Sequence, residues 1–241
     1  MSGFQANANS GVVVCVGNPA CQDGHDLILG WMQQNLPFVL PALPSGQAIN
    51  ILHGNLGETI SFLVGRSHLV PPGSIPFPAN ALNPLGGISR PEIDIVWIRL
   101  GQREEEDLAY LQEVKTTTQT SLNYADKLTT DYDKLFGTDV ALTAHTRLQH
   151  IKNIMEVQQA VTPPLLLRIS ALAGQSPATS SKLNLLPTLV HERIGTTPVQ
   201  KMMSIRSTLI GRGWQSNQIA AAAISLSDLA ARLDRLALGQ K

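Results

Sequence analysis

Between Pro91 and Thr118 an apolar run, a charged gap and a second apolar run follow one another: PEIDIVWIRLGQREEEDLAYLQEVKTTT. Ile93 to Leu100 is nearly continuous in apolar and β-branched residues, as in a strand buried on both faces. Gly101 to Asp107 is charged and supplies a turn, and Leu108 to Thr118 returns as a second strand ending in β-favouring threonines. A loop symmetric about Arg103 and Glu104 sets Val96 opposite Leu111, Ile98 opposite Ala109 and Asp94 opposite Glu113. Opposed residues share a face with Cβ atoms about 5 Å apart, so two carboxylates meet there, and the period of two adds Lys115 to them.

The flanking patterns predict helices and further strands. Residues 1–10 are expected to be disordered, Gly11 to Gly17 to form a short strand, and Asp26 to Asn35 a short helix opened by Asp23 or His25. Pro37 to Gly46 is a Pro-rich connection. A helix is expected to open at Asn55, with Glu58 at capping-box spacing and Leu56, Ile60, Leu63 and Val64 as its apolar stripe. Val70 to Arg90 is rich in Pro and Gly and reads as a long loop, either lining a cleft or forming a surface insertion. After the hairpin, Thr120 or Ser121 caps a helix to Phe136 that buries Leu122, Ala125, Leu128, Tyr132 and Leu135. A helical pattern from Val140 to Val161 stops at Pro163-Pro164, and Leu165 to Ser170 (LLLRIS) predicts a core strand. Leu185 to Ile194 predicts another strand, Thr197-Pro198 opens a helix through Ile210, and Ser227-Asp228 starts a last helix with Leu229, Leu233 and Leu236 inward.

Composition sharpens this into one α/β domain. A chain of 241 residues with 43% hydrophobic and 15% charged residues is ordinary for a globular protein. The division expected is an N-terminal extension over 1–50, a core over 51–170, and a strand and helices packing on it over 171–241. Formal net charge is zero, so a nucleic-acid partner needs a local basic surface. Lys127, Lys134, Arg147, His150 and Lys152 either follow a phosphate backbone or, with Asp126, Asp131 and Asp133 interleaved, form a solvated mixed-charge face. Cys15 and Cys21 lack zinc-site spacing, and a reduced cytoplasmic setting is expected. No stretch has the length of a membrane helix, the N-terminus has no basic leader, and no membrane partner is expected. The chain has neither a Gly-x-Ser-x-Gly turn nor a Gly-x-x-x-x-Gly-Lys loop, so a motor or ATPase, where needed, is another protein. His145 and His150 stand off a HExxH frame and His191 has no second histidine nearby, so these read as structural or surface residues.

Asp94 followed by Glu113-Val114-Lys115 resembles the PD-(D/E)xK nuclease superfamily, with Pro91-Glu92 just ahead, although the Asp is not directly preceded by Pro. The resemblance covers roughly residues 50–170. It implies a restriction-endonuclease-like core, a central mixed β-sheet flanked by helices. It implies that Asp94 and Glu113 bind a metal ion, that Val114 lends its backbone carbonyl and that Lys115 positions or activates the attacking water. Glu58, on the preceding helix, is a further metal ligand or only a capping residue. Opposed carboxylates repel unless neutralised, and oxygen ligands suit Mg²⁺ or Mn²⁺ rather than zinc. Gln119 and Tyr124 stand five apart where some branches place a Gln and a Tyr four apart. They either approach phosphate or form a solvated first turn and a core aromatic. The function implied is metal-dependent hydrolysis of phosphodiester bonds, in DNA, in a bacterial restriction or phage-defence setting. The partner is a second copy of the chain or a helicase or ATPase subunit. The alternative is a non-catalytic nucleic-acid-binding or scaffold subunit that keeps the fold and uses Lys115 as an internal salt-bridge partner. Coincidence of common residues is the third reading.

Overall fold

The computed structural model describes residues 4–9, 12–17, 23–35, 39–79, 93–136, 141–157, 162–173, 181–192 and 196–240. Strands β1 (Phe4–Asn9) and β2 (Val12–Gly17) precede helices α1 (Asp23–Asn35) and α2 (Gln47–Val64), which ends in one π turn at Gly65–Leu69. Strands β3 (Ile75–Pro78), β4 (Ile95–Arg99) and β5 (Leu108–Thr117) come next, then helices α3 (Lys127–Phe136), α4 (Ala141–Val157) and α5 (Pro163–Ala173). Strand β6 (Leu183–Glu192), helix α6 (Thr197–Gly211), strand β7 (Ala221–Leu226) and helix α7 (Leu229–Ala237) complete the order.

The fold is α/β. The strands form one seven-stranded mixed sheet in the order β1-β2-β7-β6-β5-β4-β3. The inner four, β2, β7, β6 and β5, run parallel, and β1, β4 and β3 add to the edges antiparallel. Each face is covered by helices, as strands buried on both sides require. On one face Ile98, Leu111, Leu185 and Leu189 pack with Leu128, Tyr132, Ile169 and Ile205. On the other, Ile95, Trp97, Leu186 and Val190 pack with Leu56, Ile60, Leu63 and Leu233. A buried chain of polar groups crosses three strands on this second side. Trp97 Nε1 donates to Gln112 Oε1 at 2.8 Å, and Gln112 Nε2 donates to Thr188 Oγ1 at 3.0 Å.

The hairpin register is the expected one: Val96 pairs with Leu111 and Ile98 with Ala109. The buried stripe Leu122, Ala125, Leu128, Tyr132 and Leu135 also holds, although α3 begins only at Lys127, after a 3₁₀ turn over Asn123–Asp126.

Four expectations fail. Phe4–Asn9, expected to be disordered, pairs with β2. Within the expected loop after Val70, Ile75–Pro78 pairs with β4 as an edge strand, where its prolines need donate to no further neighbour. Leu165 to Ser170 is helical. Leu166, Ile169 and Leu172 are buried while Leu167 is 72% exposed, a helical period, and the prolines meant to stop a helix open this one. Lastly, α2 opens at Gln47, not Asn55, so Glu58 lies in the helix interior and is no capping residue. Gly54 and Gly57 both lie inside the helix. At Gly57 the helix lies against β5 so closely that a Cβ would stand 1.7 Å from Thr116 Oγ1.

Candidate active site

The hairpin and two helices bring the chemistry together. Asp94 immediately precedes β4, in line with the register that sets it opposite Glu113 of β5. Its Oδ2 accepts a hydrogen bond from Val114 N at 2.7 Å, which fixes the carboxylate against the neighbouring strand. Glu58, from the middle of α2, hydrogen-bonds to Asp94 through its side chain. All three carboxylates are buried, with relative exposures of 8% for Glu58, 8% for Asp94 and 4% for Glu113.

Strand β6 places Pro187 beside Glu113, and a proline has no N–H to give. The Tyr132 hydroxyl serves this stretch instead, donating to Leu111 O at 2.8 Å and accepting from Glu113 N at 3.3 Å. A helix α3 side chain thereby holds the backbone on which Glu113 stands. Lys115, two positions on and on the same face, places its Nζ 3.7 Å from Glu113 Oε2. Its shorter contact, 2.8 Å, is to Asp131 Oδ2 of α3, whose Oδ1 lies 3.1 Å from Lys134 Nζ.

Burial pushes the Asp94 carboxyl up to about 6, against the opposing pull of Lys115 and the Val114 N–H. Burial, and then the nearby Asp94, hold Glu113 well above the usual carboxylate range. Burial works against the Lys115 ammonium, but Asp94, Glu113 and Asp131 outweigh it and raise its pKa. Burial likewise opposes charge on Asp131, and Lys115 and Lys134 overcome it to keep that carboxyl below its ordinary value. A cation or a shared proton would relieve the cost of burying Asp94 and Glu113 together.

These residues share one cleft of about 870 Å³, lined by Glu58, Asp94, Glu113, Val114, Lys115 and Asp131, and by Gln47, Asn50, Gln119 and Tyr124 further out. Every site residue expected from the sequence therefore lines it. Of the basic residues on the helices after the hairpin, Lys134 lines it, whereas Arg147 Nη2 donates to Phe77 O at 3.3 Å and Lys152 pairs with Glu156 at 3.1 Å. The side chain of His145 lies outside the described residues. Tyr124 is no core aromatic but 45% exposed. Asp131 and the Tyr132 hydroxyl are the site members that sequence reasoning passed over. The available signal for Asp131 was its place between Leu128 and Leu135, three and four residues away, on the inward side of α3.

The donor set is all oxygen, which fits Mg²⁺ or Mn²⁺. Among the described residues, no group of three or more His, Cys, Asp or Glu side chains is already gathered at metal-ligand geometry. Glu58, Asp94 and Glu113, with the Val114 carbonyl, are the groups that would hold the ion. No helix among the described residues is long and apolar enough to cross a membrane. No protein-family model matches the chain, and comparison with curated proteins finds no match.

Proposed function

We propose that this protein is a metal-dependent nuclease of the PD-(D/E)xK kind, with a restriction-endonuclease-like core, that hydrolyses phosphodiester bonds in DNA. The observation that carries the reading is the convergence of three buried carboxylates from a hairpin and the helix before it, with Lys115 on the same strand face as Glu113. The order of elements also supports it, with α2, the β4–β5 hairpin and α3 enclosing the cleft. A bacterial restriction or phage-defence role in the cytoplasm, with a second copy or an ATPase subunit as partner, belongs to the same proposal.

The chemistry supplied by a bound Mg²⁺ or Mn²⁺ is polarisation of a phosphate oxygen and acidification of a water. Asp94, clamped by Val114 N–H, and Glu113, seated on backbone held by Tyr132, would hold that ion. Lys115 donates a hydrogen bond to the attacking water or to the phosphate oxygen that gains charge. The bond from water oxygen to phosphorus forms as the bond to the leaving sugar oxygen breaks; the water gives up a proton to solvent, and the leaving oxygen takes one from solvent. Asp131 holds the Lys115 ammonium in position from the far side.

The test compares Glu113→Gln with Lys115→Ala by calorimetric metal titration and DNA cleavage. Glu113→Gln is expected to weaken Mg²⁺ binding and abolish cleavage together. Lys115→Ala is expected to abolish cleavage while metal binding stays or tightens, since a nearby positive charge is gone. One observation favours the non-catalytic subunit instead: Lys115 already sits in an ion-pair network with Asp131 and Glu113. A folded Lys115→Ala protein that cleaves at the wild-type rate decides against the nuclease site.

A further inference from the structure

We infer that the cleft seats an unpaired nucleotide whose base stacks on Tyr124, so that single strands and frayed ends are preferred over intact duplex; this rests on the nuclease reading above.

Tyr124 is the exposed aromatic side chain among the described residues. The 3₁₀ turn over Asn123–Asp126 buries Ala125 and turns its neighbour Tyr124 outward, onto the rim of the carboxylate cleft. Lys127 Nζ stands over the ring at 4.6 Å from its centroid, so a cation already braces this platform. A lone exposed aromatic is ordinary on a protein surface. One that borders a cleft with catalytic carboxylates at its base is placed to meet the substrate.

The charges of the cleft point the same way. Duplex binding draws on free cations that track phosphates. Here the two cleft lysines, Lys115 and Lys134, are both engaged by Asp131, at 2.8 and 3.1 Å. The outer wall carries the amides of Gln47, Asn50 and Gln119, groups that read base edges rather than phosphate charge. Stacking on an exposed aromatic and hydrogen bonding along a base edge are contacts that an unpaired base offers and a base inside a duplex does not. At about 870 Å³ the cleft also exceeds what a lone phosphodiester requires and falls within the size of a small-molecule pocket. In a duplex each base is stacked on both sides, and reaching Tyr124 would demand its extrusion.

The experiment uses the full chain with Mg²⁺ or Mn²⁺ on single-stranded DNA, single-stranded RNA of the same sequence and blunt duplex DNA. Single-strand cleavage is expected to exceed duplex cleavage, and Tyr124→Leu to lower kcat/KM on the single strand by roughly ten- to a hundredfold, with recovery in Tyr124→Trp. As a second readout, Glu113→Gln protein is titrated with a strand carrying 2-aminopurine. Its fluorescence is expected to quench on binding, and the quench to vanish when Tyr124→Leu is added. Cutting of either DNA or RNA single strands in this pattern supports the inference and identifies the sugar. Equal rates on duplex and single strand, or a Tyr124→Leu protein that cuts single strands at the wild-type rate, overturns the inference and leaves the nuclease reading standing. No cleavage of any substrate overturns both.

Discussion

Asp131 decides where the Lys115 ammonium points, because their 2.8 Å contact is shorter than the 3.7 Å approach of Lys115 to Glu113. Asp131→Asn keeps the shape but removes the charge that holds two lysines. Under the nuclease reading, kcat is expected to fall roughly ten- to a hundredfold with KM little changed, since a displacement of about 1 Å costs on that order. Partial recovery in Asp131→Glu separates positioning from damage to the fold. At the far end of β6, His191 gives a pH prediction. Its side chain is buried, its Nδ1 lies 2.5 Å from Glu192 O, and burial lowers its pKa from 6.5. In the unfolded chain the ring takes a proton as pH falls through 6.5, whereas the folded chain resists until lower pH. The stability that this neutral ring contributes is thus full above 6.5 and drains away as pH falls below it. Asp94 and Glu113, whose pKa values are raised, contribute with the opposite sign in this range, so the slope is read as the difference between wild type and His191→Gln in urea melts from neutral into mild acid, with the wild type expected to lose more stability as pH falls.

Among the elements, α2 is held to β5 at Gly57, and that contact sets the depth at which the next residue, Glu58, enters the cleft. Gly57→Ala puts a methyl where Thr116 Oγ1 stands, a backbone-proximal clash expected to cost about 1–3 kcal/mol in chemical denaturation. Adding Thr116→Ala is expected to return part of it. The β4–β5 hairpin was legible because two apolar runs flank a charged gap, and the period of two then placed Asp94, Glu113 and Lys115 without further information. Helix α5 was not, because LLLRIS is a short apolar run in which the helical period shows only through the exposed Leu167. The misreading hid a tie: Arg168 of α5 pairs with buried Asp107 and donates to Gly101 O at 2.9 Å, pinning the turn of the hairpin. Strand β7 was invisible for another reason. Ala221-Ala222-Ala223 has weak strand preference, and its place in the interior of the sheet, between β2 and β6, comes from the helices and strands that crowd it. For Glu58 the position in the cleft was legible and the local cause was not, since the helix opens at Gln47 rather than Asn55 and Gly57 serves close packing against β5.

For the molecule as a whole, the sheet order matters more than any single contact. Strands β6 and β7, from the last third of the chain, lie between the N-terminal β1–β2 pair and the β5–β4–β3 edge that carries the site. A chain cut after Ala173 keeps Glu58, Asp94, Glu113 and Lys115 but leaves β5 without its parallel neighbour. Such a fragment is expected to show no cooperative unfolding transition and no dispersed amide spectrum, and a well-folded fragment would show that the hairpin needs no central strands. The same order has a meaning during synthesis. The β2–β7 and β5–β6 pairings join segments far apart in sequence, so the slow step of folding is expected to wait for late residues. While the ribosome is still extending the chain, the β4–β5 hairpin can pair, but the parallel strand that supports β5 on its other side has yet to be made. Under the nuclease reading, such a chain would be harmless until β7 has emerged and closed the sheet, its safety catch being the order of its strands.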